Sequence, residues 1–148
     1  MVATDAGDLP VACKKIYSAR AAETRLRRGM HQLDRFSGVG IVTINIDVLV
    51  PPSHVLQYRT ASSLGAQMEN VTLGFLVENG SQLQQYFQRG RVSAVAVSLA
   101  LFAEFTEEAP RFNYMHQLVV VVSRYAQPSV RARLKILATS MGASIEGI

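Results

Sequence analysis

The chain has 148 residues, a formal net charge of +4 and a single cysteine, Cys13. That length suits one domain that buries roughly 68–70% of its unfolded surface, and one cysteine excludes an intramolecular disulfide framework, which points to a reducing compartment such as cytosol or nucleus. No run approaches the ~18 consecutive apolar residues of a spanning helix, and Asp5 and Asp8, ahead of any apolar run, do not read as a secretory signal.

The charge is unevenly spread. Residues 14–35 carry Lys14, Lys15, Arg20, Arg25, Arg27, Arg28 and Arg35 against Glu23 and Asp34, while the rest of the chain is nearly balanced. A local cationic element on a neutral body favours anionic partners: acidic lipid, RNA or an acidic protein surface.

In chain order, residues 1–12 read as a flexible N-terminus, and 13–148 as one α+β domain. A basic helix is expected over 13–31, with Ile16, Ala19, Leu26 and Met30 on one side and Arg20, Arg27 and Arg28 away from it. Val42, Ile44, Ile46, Val48 and Val50 alternate with Thr43, Asn45 and Asp47, the pattern of a half-buried strand that Pro51-Pro52 ends. Residues 53–69 read as loop plus short helix. Val71, Leu73, Phe75 and Val77 alternate again as a second strand, closed by the turn Glu78-Asn79-Gly80. Ser81-Gln82-Leu83-Gln84 then has the form of a capping box for a short helix to residue 88, with Gly90 placed to end it.

Residues 92–105 and 114–125 form a long hairpin across Thr106-Glu107-Glu108-Ala109-Pro110. The unbroken run Leu118-Val119-Val120-Val121-Val122 demands cover on both faces. The helix opened by Pro128 and closed at Gly142, with the stripe Val130, Leu134, Leu137 and Met141, is the candidate cover, and residues 143–148 add an edge strand. Arg131 and Lys135 lie on one flank of this helix and Arg133 on the other, a second cationic region. The expected fold is a mainly antiparallel sheet of about four to five strands covered by a C-terminal helix, with an N-terminal basic helix.

Little in the chain carries catalytic chemistry. His31, His54 and His116 are far apart, and one cysteine cannot complete a structural zinc site. Gly38-Val39-Gly40 precedes a strand and lacks the helix that would present its N-terminus to a phosphate. Glu104, Glu107 and Glu108 sit at the hairpin tip, where exposure is expected to leave ordinary carboxyls, and Asp47 is expected to point into solvent. No catalytic residue, metal or cofactor is assigned. Phe75, Phe87, Phe105 and Tyr125 are expected in the core, which argues against base stacking and leaves any nucleic-acid contact phosphate-led.

The basic N-terminal segment, the strand Ile41-Val42-Thr43-Ile44-Asn45-Ile46-Asp47-Val48, the helical stretch at 60–68, the hairpin and the late helix with Val130-Arg131-Ala132-Arg133-Leu134-Lys135 together resemble the compact matrix proteins of rhabdovirus-like and bornavirus-like negative-strand RNA viruses. The resemblance lies in element order over residues 36–148. It implies a non-enzymatic structural protein that forms homo-oligomers, lies in the host cytoplasm, at the inner face of a membrane or in the virion, and binds anionic lipid or the nucleocapsid RNA. The residues expected to make those contacts are Lys14, Lys15, Arg20, Arg25, Arg27, Arg28, Arg131, Arg133 and Lys135. Pro51-Pro52-Ser53-His54 departs from the budding motifs of that family. Two other readings stand beside it: an RNA-binding movement protein or silencing suppressor, and a small enzyme whose site a partner chain completes.

Overall fold

The computed structural model describes residues 8–37, 39–50 and 56–147. Its elements are β1 (Val11–Lys15), α1 (Ala22–Leu33), β2 (Ile41–Asn45), β3 (Leu56–Tyr58), α2 (Ala61–Gln88), β4 (Ala94–Phe105), β5 (Phe112–Val122), α3 (Pro128–Ser140) and β6 (Ser144–Gly147), with short 3-10 turns between some of them. The fold is α+β: one open, mixed sheet in the order β1-β2-β4-β5-β6, with β3 paired to the far end of β4.

The sheet departs from the antiparallel expectation. Among the described residues only β4 and β5 pair antiparallel, whereas β1 with β2, β2 with β4, β3 with β4, and β5 with β6 run parallel. Parallel neighbours need a crossover rather than a tight turn, and α1, α2 and α3 supply it.

Residues 8–12, expected to be part of a flexible N-terminus, are the first correction, while residues 1–7 of that expectation lie outside the described residues. Leu9 is fully buried, the Pro10 carbonyl accepts from Ile41 N–H at 3.0 Å, and Val11 and Ala12 lie in β1, residue for residue beside Ile41 and Val42. The helix expected over 13–31 is therefore strand as far as Lys15. It begins only at Ala22, after an extended Ser18 and one 3-10 turn. Ile16, Leu26 and Met30 are buried as expected, Ile16 from the end of a strand.

The second correction is larger. Residues 61–88, expected as short helix, strand, turn and short helix, form one helix of 28 residues. Leu64, Met68, Thr72, Phe75, Leu83 and Phe87 are its buried residues, a helical recurrence of three or four in which the half-buried Asn79 fills the step between Phe75 and Leu83. The alternation at 71–77 covers only two turns, and in that phase Val77 is 80% exposed. The cap is Thr60, not Ser81: Thr60 Oγ1 accepts from Ser63 N–H and Ser63 Oγ accepts from Thr60 N–H, each at 3.2 Å. Asn79, expected in a turn, donates its Nδ2 back to the Phe75 carbonyl at 2.8 Å. Gly90 does end the helix region with a positive φ of 63°.

The later elements follow expectation. β4 and β5 make the long hairpin, Leu118 through Val122 are buried on both faces, α3 starts at Pro128, and Gly142 follows it at φ 65°. The two sides of the sheet hold separate apolar clusters. Leu26, Met30, Leu64, Phe75 and Phe87 of α1 and α2 pack on Val42, Ile44, Val95, Val97 and Leu99. Val130, Leu134 and Ala138 of α3 pack on Ile41, Ala94, Ala96, Leu118 and Val120. Each fully buried Leu or Val contributes about 1.5–3 kcal/mol.

Candidate anion-binding surface

The cationic residues named above divide among separate surfaces. In β1, Ala12 and Ile16 join the α1-side cluster and Lys14 Nζ donates to Gln32 Oε1 of α1. Strand alternation then turns Val11, Cys13 and Lys15 to the other side of the sheet. On α1, Arg25, Arg28 and Gln32 are spaced three and four apart and share one flank. Tyr17, just past β1, lies under Arg25 with the guanidinium carbon 5.0 Å from the ring centroid. The flank thus borders the edge strand. Lys14, Arg25 and Arg28 make no ion pair with a carboxylate among the described residues.

The other arginines go elsewhere. Arg27 lies toward the opposite flank of α1, four residues from Glu23, and Arg20 lines a groove between α1 and α2 with Glu23 and Glu78. Arg35 stacks on its neighbour Phe36 at 4.8 Å. Arg131, Arg133 and Lys135 belong to α3, across the sheet from α1. The structure therefore does not bring the nine expected contact residues together: Lys14, Arg25 and Arg28 form one surface, and Lys15 and the α3 residues lie on the other side.

Of the carboxylates, Glu107 and Glu108 are exposed as expected, whereas Glu104 and Asp47 differ. Glu104 is only 6% exposed. It accepts from Gln57 Nε2 at 2.9 Å and pairs with Arg111, and these bonds, Gln57 first, hold its carboxyl below the usual glutamate range. Glu107 pairs with Arg59 at 2.8 Å, and Glu108 accepts from Ala61 N–H at 2.7 Å, at the open N-terminus of α2. Asp47, expected in solvent, is half-buried: Oδ1 accepts from Ala100 N–H at 2.8 Å and Oδ2 from Asn45 Nδ2 at 2.9 Å. Asp34 is held below the usual range by His31 and then Arg91.

His116 Nε2 lies 3.1 Å from Ser98 Oγ, a pairing invisible in a sequence that separates the two by a strand. A nucleophilic serine needs its base oriented by a third group, and no carboxylate bonds His116 among the described residues. His31 pairs with Asp34, and His54 lies outside the described residues. Among the described residues no cluster of three metal-ligating side chains occurs, and no helix is long and apolar enough to cross a membrane.

Phe75, Phe87 and Phe105 are buried as expected, but Tyr125 is half exposed, and three aromatics with no role in the sequence-based expectation, Phe102, Phe112 and Tyr114, stand in solvent. The available signal was their shared period-two phase with Ser98, Ala100 and His116. No family model, curated protein or solved structure matches this chain.

Proposed function

We propose that this chain is a non-enzymatic, matrix-like protein that self-associates and engages phosphodiesters of an anionic partner, lipid headgroups or an RNA backbone, through Lys14, Arg25 and Arg28. The observation that carries the reading is the cationic flank of α1 beside the edge strand, with no carboxylate paired to it among the described residues. Unneutralised arginines present planar donors that match phosphate oxygens. Leu73 and Val77, four apart and exposed on the outer side of α2, supply apolar surface for contacts between copies.

Co-sedimentation with neutral vesicles, anionic vesicles and single-stranded RNA tests this, comparing the native chain with a variant carrying Lys14→Ala, Arg25→Ala and Arg28→Ala. All three residues lie outside the buried clusters, so the variant is expected to fold. Pelleting with anionic vesicles that the variant loses identifies lipid as the partner. If RNA binds instead, the slope of log affinity against log salt flattens by about 2 in the variant, near 0.7 for each phosphate no longer neutralised. Equal binding by both proteins would overturn the assignment of this flank.

A further inference from the structure

Strands β4 and β5 are much longer than the helix that covers them. Twelve and eleven residues extend about 35–40 Å, whereas the thirteen residues of α3 extend about 20 Å. α3 packs on the half of this face that holds Ala94, Ala96, Leu118, Val120 and Val122. The other half, where Ala100 opposes His116, Phe102 opposes Tyr114 and Glu104 opposes Phe112, is covered by no helix among the described residues. Phe102, Phe112 and Tyr114 are 54%, 47% and 63% exposed there.

We infer that this open half-face is a stacking platform for the bases of a single-stranded nucleic acid. Three features favour that occupant. The first is the rings: Phe102 and Phe112 lie 6.0 Å apart, only 4° from parallel, with Tyr114 opposite Phe102. Sheet-borne aromatics of this kind stack two or three bases. The second is charge. Both oxygens of Asp47 and both of Glu104 accept hydrogen bonds within the protein, and the charge of Glu104 is offset by its pairing with Arg111. Lys15 projects from the edge strand on this same side, and Arg111, paired with Glu104, spreads over Phe112 at 5.5 Å. The third is size. The patch measures about 20 Å by 10–20 Å on strand spacings, about 200–400 Å², well short of the ~800 Å² per partner of a stable protein interface. An area of that size suits a few stacked bases better than the standard-sized interface of a stable dimer. The surface is separate from the α1 flank, so either assignment can fail alone.

The test is fluorescence anisotropy of a short labelled oligouridylate at two salt concentrations, with inorganic polyphosphate as a base-free competitor. Phe102→Ala and Tyr114→Ala are each expected to weaken binding about fivefold or more, the loss of one stacked base, and to do so at both salt concentrations. Tyr114→Phe keeps the ring and is expected to retain affinity, which separates stacking from any loss of fold. Polyphosphate should compete poorly once salt is raised. Unchanged oligonucleotide affinity in both alanine variants overturns the platform, as does competition by polyphosphate in proportion to its charge. A dimer in sedimentation velocity that Tyr114→Ala disperses, with no effect on the oligonucleotide, overturns it in favour of a second copy.

Discussion

Asp47 stands where β2 leaves the sheet. Ile46 N–H still bonds the Ser98 carbonyl at 2.9 Å, but the next donor along β4, Ala100 N–H, has no strand opposite it until β3 begins beside Ala103. The Asp47 carboxylate takes the place of that missing carbonyl at 2.8 Å. Asp47→Ala strands the donor and is expected to cost about 1–3 kcal/mol, read as a lower urea midpoint at unchanged slope. Glu104 and Asp34 both contribute to the acid-side pH dependence, and Glu104 is the more buried of the two. The Glu104 carboxyl is lowered by Gln57 and Arg111, so its contribution is present above the ordinary glutamate range and is lost as pH falls through the lowered folded value. Glu104→Gln should therefore show a shallower acid-side decline in Tm than the native chain, and an identical decline in both would refute the role. Neither carboxylate was legible in sequence, because each has one decisive partner far along the chain, Ala100 N–H for Asp47 and Gln57 for Glu104.

At the scale of elements, α2 shows how a short pattern loses to a long one. Val71, Leu73, Phe75 and Val77 alternate perfectly, yet a helical stripe from Leu64 to Phe87 buries six side chains where the alternation would have buried four. Gly80 lies mid-helix, and a Cβ added there would meet nothing within 4 Å. Gly80→Ala is accordingly expected to raise stability by about 0.8–1 kcal/mol, the helix-propensity difference. Gly29 in α1 behaves oppositely: a Cβ there would stand 2.6 Å from Val42 Cγ1, so Gly29→Ala should lower stability despite its better propensity. Thermal unfolding of the two variants side by side checks the contrast. Two stabilised proteins would mean that α1 does not sit so close to β2. The hairpin, α3 and β6 were readable because each has a local signature, an acidic proline-bearing turn, Pro128 and Gly142, that tertiary packing does not contradict.

Across the whole molecule the two faces of one sheet have different surroundings. α1 and α2 cover one face, while α3 covers only part of the other. This difference is what separates the basic residues: Arg25 and Arg28 of α1 border the edge strand, Lys15 projects beneath it, and those of α3 lie beyond. A cationic segment in sequence thus becomes one compact flank plus scattered charges. The same difference opens the aromatic patch. If both surfaces bind one nucleic acid, the edge strand β1 lies between them, with Lys14 on one side and Lys15 on the other.

The sequence alone determined the charge, the absence of an intramolecular disulfide, the long β4–β5 hairpin, the doubly covered run at 118–122 and the late helix, since these depend on composition or on patterns within a dozen residues. Tertiary structure decided the strand at Val11–Lys15, the single helix at Ala61–Gln88, the parallel pairing and the partners of Asp47 and Glu104. The reason is physical: register, crossover and cover depend on which distant segment lies alongside, and no local period encodes that. The exposure of Phe102, Phe112 and Tyr114 was decided the same way, by a helix that ends halfway along its strands.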